Sequence, residues 1–494
     1  MNAIMKLIHK AQHSFFLFGL ASILWLLFRS GSKPARMSYP CQQASAASGS
    51  LWIATYILPV IFSIQSQGTR AAKSARGQAG FLLLLSISLS FLYGSFGTMG
   101  LADLMGNDRA AADRGDSIMI NLTQMRSPSQ EPSRIFAVSG ATGDDDSLTG
   151  LIELMNLHGL AFYSRNGSSG IIGKDDVVII KVNSQWDERG GTNTDLVRSL
   201  VGAILNHPQG FSGEVIIADN GQGQYGSTGH GGSLSYDRNN AENISQSMQY
   251  VADSFPDQKV SAYLWDCITN TSVREYSDGD MADGYVLSGP PEEKTGIAVT
   301  YPKFQTKYGT YISFKQGVWD PASGRYNSSR LKVLNVPVLK THCIYGVTAC
   351  VKHYMGVGSD RISRQAGGRA HNSVGSGGMG TEMARTRFAD LNILDAIWIN
   401  ARPGAGPRTS YEQADHAGII AASIDPVALD YWAAKNILMP AARQKGYSDM
   451  QSMDPDNKSP GTFGDWLHLS SAEILKAGHQ GTANEKNMEV YLSN

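Results

Sequence analysis

Val177-Val178-Ile179-Ile180-Lys181-Val182-Asn183 sets the reading of this chain. Four consecutive β-branched residues leave no polar face, which is the pattern of a strand covered on both sides. Downstream, 194–206 places Leu196, Val197, Leu200, Val201, Ile204 and Leu205 at helical spacing, and Glu214-Val215-Ile216-Ile217-Ala218 repeats the strand pattern. Strand, helix and strand in that order form a β-α-β unit. Upstream, 134–138 reads as a strand and 148–158 as a helix. Beyond the unit come a helix over 240–255 and a strand over 259–265. From about 270 to 330 the pattern becomes Gly/Ser/Tyr-rich and alternating, as in inserted β-hairpins. Strands at 332–336 and 391–399 and a helix near 347–354 resume the first pattern. Asp425 and Pro426 suit the cap and first turn of a helix over 426–437. The expected fold is α/β, a mostly parallel sheet with flanking helices and an inserted β-hairpin region.

The N-terminal residues are of another kind. Residues 15–28 form an apolar run without a charge, 51–64 a second and 80–101 a third. About 20 apolar residues cross ~30 Å of hydrocarbon. The third run meets that length alone, and the first two meet it with their flanks. The expectation is a membrane region over 1–105 with about three transmembrane helices near 13–30, 46–66 and 79–101, a polar linker over 106–133 and a soluble α/β domain over 134–494. A cleaved signal peptide is the other reading of the first run. With three spans and the N-terminus inside, Lys6, Lys10 and the cluster Arg70, Lys73, Arg76 lie in the cytoplasm, and the large domain lies outside. The lipid bilayer is then the one partner the sequence names.

Composition narrows the function classes. Lys+Arg 42 against Asp+Glu 43 provides no basic excess for nonspecific nucleic-acid binding. The four cysteines show no C-x-x-C pair, so neither an iron–sulfur cluster nor a dithiol is signalled.

In an open α/β sheet ligands bind beyond the carboxyl ends of the strands, so the residues after each predicted strand are the ones to collect. Strand 177–180 ends in Lys181-Val182-Asn183. Strand 214–218 ends in Asp219-Asn220-Gly221, before a Gly-rich loop to Gly232. Strand 332–336 leads through Pro337 to Lys340-Thr341-His342, and the helix expected near 347–354 carries Thr348 and Lys352 on one face. Amines, hydroxyls and helix N-termini suit a small anion, a carboxylate or a phosphate. Lys340 and Lys352 supply charge, and His342 is the natural proton-transfer group near neutral pH, with Asp219 to orient it or hold a cation. The expected catalytic set is therefore His342, Lys340 and Lys352. The expected substrate contacts are Lys181, Asn183, Asp219, Asn220, Thr341 and Thr348. Plainer roles stay open: Lys181 on the surface, Asp219 bonded to turn amides, His342 packed and hydrogen-bonded, Asp425 only a cap.

No metal is assigned and no cofactor is named by the sequence. His342, Cys343, Cys350 and His353 form an inventory that could bind zinc, but adjacent His342-Cys343 fits a tetrahedral site poorly and no standard spacing occurs. The glycines after Asp219 and the turn Gly375-Ser376-Gly377-Gly378-Met379-Gly380 are weak nucleotide signals.

The motifs Lys181-Val182-Asn183, Ile217-Ala218-Asp219, Lys340-Thr341-His342 with Val347-Thr348 and Lys352, and Asp425-Pro426-Val427-Ala428-Leu429-Asp430 occur in one order over roughly 134–440. In this the chain resembles the domain of unknown function 362 family, and the loop Lys33 to Gln43 resembles that of its membrane-anchored members. Some members carry added ferredoxin-like cysteines, which this chain lacks. Where such members tend to have Lys-Asn, this chain has Lys352-His353. The resemblance implies the fold but little chemistry. The expected activity is that of a membrane-anchored enzyme on a small anionic substrate; a noncatalytic ligand-binding protein and a metal- or redox-associated module are the alternatives. Oligomeric state is not legible.

Overall fold

The computed structural model describes residues 131–165, 169–222, 231–363 and 370–493. The apolar runs and the linker read at 1–105 and 106–133 lie outside them, apart from the last residues of the linker. Among the described residues no helix is long and apolar enough to cross a membrane.

The first half of the domain alternates as the sequence suggests. β1 (Ser133–Ser139), α1 (Ser147–Leu157), β2 (Val177–Lys181), α2 (Thr194–Leu205), β3 (Glu214–Asp219), α3 (Met248–Asp253) and β4 (Val260–Leu264) follow one another. Six short strands then form a sheet of their own: β5 (Ser272–Val273), β6 (Gly284–Leu287), β7 (Thr300–Gln305), β8 (Tyr311–Ser313), β9 (Gly317–Asp320) and β10 (Arg325–Asn327). The main sheet resumes with β11 (Leu331–Asn335), β12 (Val338–His342) and β13 (Gly346–Thr348). After these come α4 (Cys350–His353), α5 (Gly378–Arg385), β14 (Leu391–Asn400), β15 (Asp415–Ser423), α6 (Pro426–Ala433), α7 (Met439–Gln444), α8 (Phe463–Lys476) and β16 (Met488–Ser493).

The main sheet runs β16-β1-β15-β14-β11-β2-β3-β4, with β12 also on β14 and β13 on β12. β2 pairs in parallel with β3 and β11, and β3 with β4. β15, however, runs antiparallel to both β1 and β14, and β13 antiparallel to β12. The sheet is therefore mixed, not the mostly parallel sheet expected. β15 and β13 are reached by short returns, and an antiparallel neighbour needs no crossover helix.

Alternation along the strands separates two cores. Val178, Ile180, Val215 and Ile217 pack with Leu151, Leu196, Leu200 and Val251 of α1–α3. Val177, Ile179, Ile216 and Ala218 pack on the other face with Val351, Met383, Leu429 and Trp466 and with the second sheet. Lys181 continues the odd-numbered series and leaves β2 on this second face.

Three further local expectations change. The helix expected over 240–255 is only α3, because Asn240 is drawn into the fold by bonds to Arg189, the Gly191 carbonyl and Asp395. Ser247 then caps the short helix by accepting from the Tyr250 amide. The turn at 375–380 in fact opens α5, which begins at Gly378. The helix near 347–354 is a strand and one helical turn: Thr348 ends β13 and Lys352 lies in α4. Asp425 caps α6 as read, accepting from the Val427 and Ala428 amides at 2.9 Å each.

Candidate functional site

Lys181 and Asp219 end the adjacent strands β2 and β3, and their side chains meet as a buried ion pair, Nζ to Oδ1 2.8 Å, at 1% and 2% exposure. Lys181 also donates to the Val182 carbonyl at 3.1 Å. The other Asp219 oxygen accepts from the Ser184 amide and hydroxyl at 2.9 and 3.0 Å. Asp219 thus holds a lysine and a turn and does not orient His342. The surface reading of Lys181 is excluded by its burial. Gly356 closes over this pair: a Cβ there would stand 2.1 Å from Asp219 Oδ1 and 2.2 Å from Lys181 Nζ. Asn220 ties down the same turn, its amide bonding the Gly356 carbonyl at 3.0 Å and its side-chain nitrogen the Gly358 carbonyl.

A second group lies on the β12–β13 pair. Lys340 and His342 are two apart and share a face. Across the pair Lys340 stands opposite Thr348, and His342 opposite Gly346, which takes φ +73° and leaves that position without a side chain. Lys340 donates to the Gly190 carbonyl and is 1% exposed. Lys352 is 6% exposed and makes no hydrogen bond or ion pair among the described residues; its amine lies 5.7 Å from the centre of the Tyr345 ring. The buried Thr348 hydroxyl has no hydrogen-bond partner either.

The electrostatics of these groups are those of amines crowded away from water. Burial first, and then Lys352, push the Lys340 amine down to about 7; burial takes Lys352 to about 7 as well. His342 is held far below its ordinary value, by burial first and then by Lys352, His371 and Lys340. Its Nδ1 accepts the Ile344 and Tyr345 amides at 3.1 and 3.2 Å, which leaves the ring proton on Nε2. The expectation that His342 shuttles protons near neutral pH is therefore corrected. Burial and the neighbouring cations favour its neutral form, with Nε2–H as donor, and burial lowers both lysines to about 7.

His353, which stands where similar sequences tend to have Asn and is also weighed as a metal ligand, sits among the cations. Burial first, then Lys181, Lys340 and Lys352, disfavour its charged form. Asn335 donates its side-chain nitrogen to Asn392 at 2.8 Å and to the Cys350 carbonyl at 3.1 Å, so its oxygen, 2.7 Å from His353 Nδ1, accepts the ring proton. His353 Nε2 is buried without a hydrogen-bond partner among the described residues. Among the described residues no group of three or more His, Cys, Asp or Glu side chains is placed to hold a metal ion. In particular Cys343 is exposed while Cys350 is buried.

The remaining expected contacts serve the fold. Asn183 accepts the Val338 amide at 2.9 Å and donates its own amide to Thr192 at 2.8 Å. Thr341 donates to the Arg402 carbonyl at 2.8 Å. The first turn of α4 is not open to an anion, because Asp430 already accepts the Cys350 and Val351 amides at 2.6 and 2.9 Å. Asp395, absent from the sequence reading, is wholly buried near Lys340, accepts the Asn193 amide at 2.8 Å, and is pushed up to about 6 by burial. A cleft of about 510 Å³ opens elsewhere, beside α2, among Asp144, Asp195, Arg198 and Glu242. With three carboxylates to one guanidinium it suits an anion poorly.

Residues 331–435 match the family described as Domain of unknown function (DUF362). The match supports the family resemblance over a shorter span than the 134–440 read from the motifs. No curated protein and no solved structure matches the chain. The DUF362 segment contains Lys340, His342, Thr348, Lys352 and His353, together with Asp395 and Asp430. Lys181, Asn183, Asp219 and Asn220 come from outside it, so the cation cluster joins the DUF362 segment to the β2–β3 edge.

Proposed function

We propose that the β12–β13–α4 unit, completed by the ends of β2 and β3, is the site of an enzyme acting on a small carboxylate or phosphate, tethered to a membrane by the apolar runs within 1–105. The observation that carries this reading is Lys352: a lysine only 6% exposed whose amine makes neither hydrogen bond nor ion pair among the described residues. Burying a cation without a partner is costly, and an anionic ligand supplies the missing one. Lys340, anchored on Gly190, adds a second charge, while the Thr348 hydroxyl and the His342 Nε2–H are donors for the ligand's oxygens. Amines near 7 are half protonated at neutral pH, which suits general acid–base work better than an ordinary lysine does. The large domain lies on the extracytoplasmic side if the three runs all span, as the positive clusters favour.

Calorimetric titration of the full chain in detergent with inorganic phosphate and with acetate tests the site. At least one should bind, and Lys352→Met should weaken it about tenfold or more, the scale of one lost charge-assisted bond. Unchanged binding in Lys352→Met removes this reading.

A further inference from the structure

We propose that Lys352 is a carbonyl-reactive amine and that the ligand class is a small oxo acid, captured as an imine while its carboxylate rests on Lys340. This rests on the anion-site reading and narrows it. Three buried amines share the region, and two are committed: Lys181 to Asp219 and the Val182 carbonyl, Lys340 to the Gly190 carbonyl. An amine already anchored by a hydrogen bond is suited to holding a carboxylate in place. Lys352 has neither bond, and an amine that attacks a carbonyl needs its lone pair free. Burial keeps a large part of its population uncharged at neutral pH, unlike a surface lysine.

Other groups of the β12–β13–α4 unit suit the remaining proton movements. Lys352 Nζ donates its electron pair to the carbonyl carbon, a C–N bond forms, and the carbonyl oxygen becomes a hydroxyl. A proton then leaves nitrogen, the hydroxyl is protonated and departs as water, and a C=N bond remains. Amine plus carbonyl gives imine plus water, with no oxidant or reductant consumed. The Thr348 hydroxyl, buried and without a partner opposite Lys340, can relay that proton. The His342 Nε2–H, fixed by the two backbone bonds to Nδ1, can donate to the oxygen as charge builds on it.

The test is reductive trapping on the full chain in detergent. Pyruvate and cyanoborohydride are added at neutral pH, and the labelled lysine is mapped by peptide mass spectrometry. The expected result is a gain equal to pyruvate less one oxygen on the Lys352 peptide, lost in Lys352→Arg, with other lysines labelled at least tenfold less. Acetate or phosphate in excess should suppress it. Pyruvate that competes with phosphate for binding yet leaves no adduct on Lys352 overturns the imine and leaves the anion site standing. Absence of both adduct and binding overturns both. Labelling spread evenly over surface lysines also overturns the imine. The wild-type map needs no variant, so a poorly folded substitution does not blunt the test.

Discussion

Lys340 and Thr348 stand directly opposite each other across the antiparallel pair β12–β13, one amine bonded to the Gly190 carbonyl and one hydroxyl without a hydrogen-bond partner among the described residues. A buried hydroxyl without a partner is a loss for the fold and an asset for a ligand. Thr348→Val removes it at nearly constant volume. Stability by denaturant titration should stay level or rise by up to about 1 kcal/mol, while phosphate or acetate binding should weaken several-fold. A clear loss of stability would show that the hydroxyl already has a structural bond.

Proton linkage gives a second prediction. Lys340 and Lys352 are lowered from 10.5 to about 7 in the folded chain. Between those values the unfolded chain binds more protons, so stability rises with pH across that window. The contribution is complete above the unfolded value and is lost as pH falls through 7. Unfolding free energy measured at pH 7 and at pH 9 should therefore increase, and Lys352→Met should flatten the increase. Anion affinity runs the other way, since binding favours protonated amines, and should fall above pH 7.

Asp219 is expected to matter for folding more than for binding. Asp219→Ala leaves the buried Lys181 amine without its 2.8 Å partner and should cost about 3–5 kcal/mol. Replacing both residues by apolar ones should recover most of that loss, read from denaturant midpoints. A loss under about 1 kcal/mol for Asp219→Ala would mean the pair is not buried as described.

Thr341 separates the structural threonine from the one proposed for the site. Its hydroxyl is spent on the Arg402 carbonyl. Thr341→Val should cost about 1 kcal/mol and leave phosphate affinity within about twofold, the reverse of Thr348→Val.

The strands that build this site were legible because burial on both faces leaves a continuous apolar run, as at Val177 to Ile180. The rule that ligands sit beyond strand ends collects Lys181, Asp219, Lys340 and Lys352, and the other three all act electrostatically on Lys340. Thr348 and Lys352 were paired as one helix face, yet a strand and a helix place them, because Gly346 at φ +73° permits the hairpin that brings β13 back onto β12. His342 reads as a titrating group because its residue type titrates near neutral pH, and sequence does not show the burial that disfavours its charged form. Asp395 is hidden from the sequence because its neighbours come from distant strands. The antiparallel β15 was missed, its first half being half-buried and without a clear period.

Competitive acylation of Lys352, followed peptide by peptide across pH with and without phosphate, tests the central claim most directly. The expected midpoint is about 7, moving upward when phosphate is present. A midpoint at the ordinary lysine value of about 10.4, unmoved by phosphate, would contradict it.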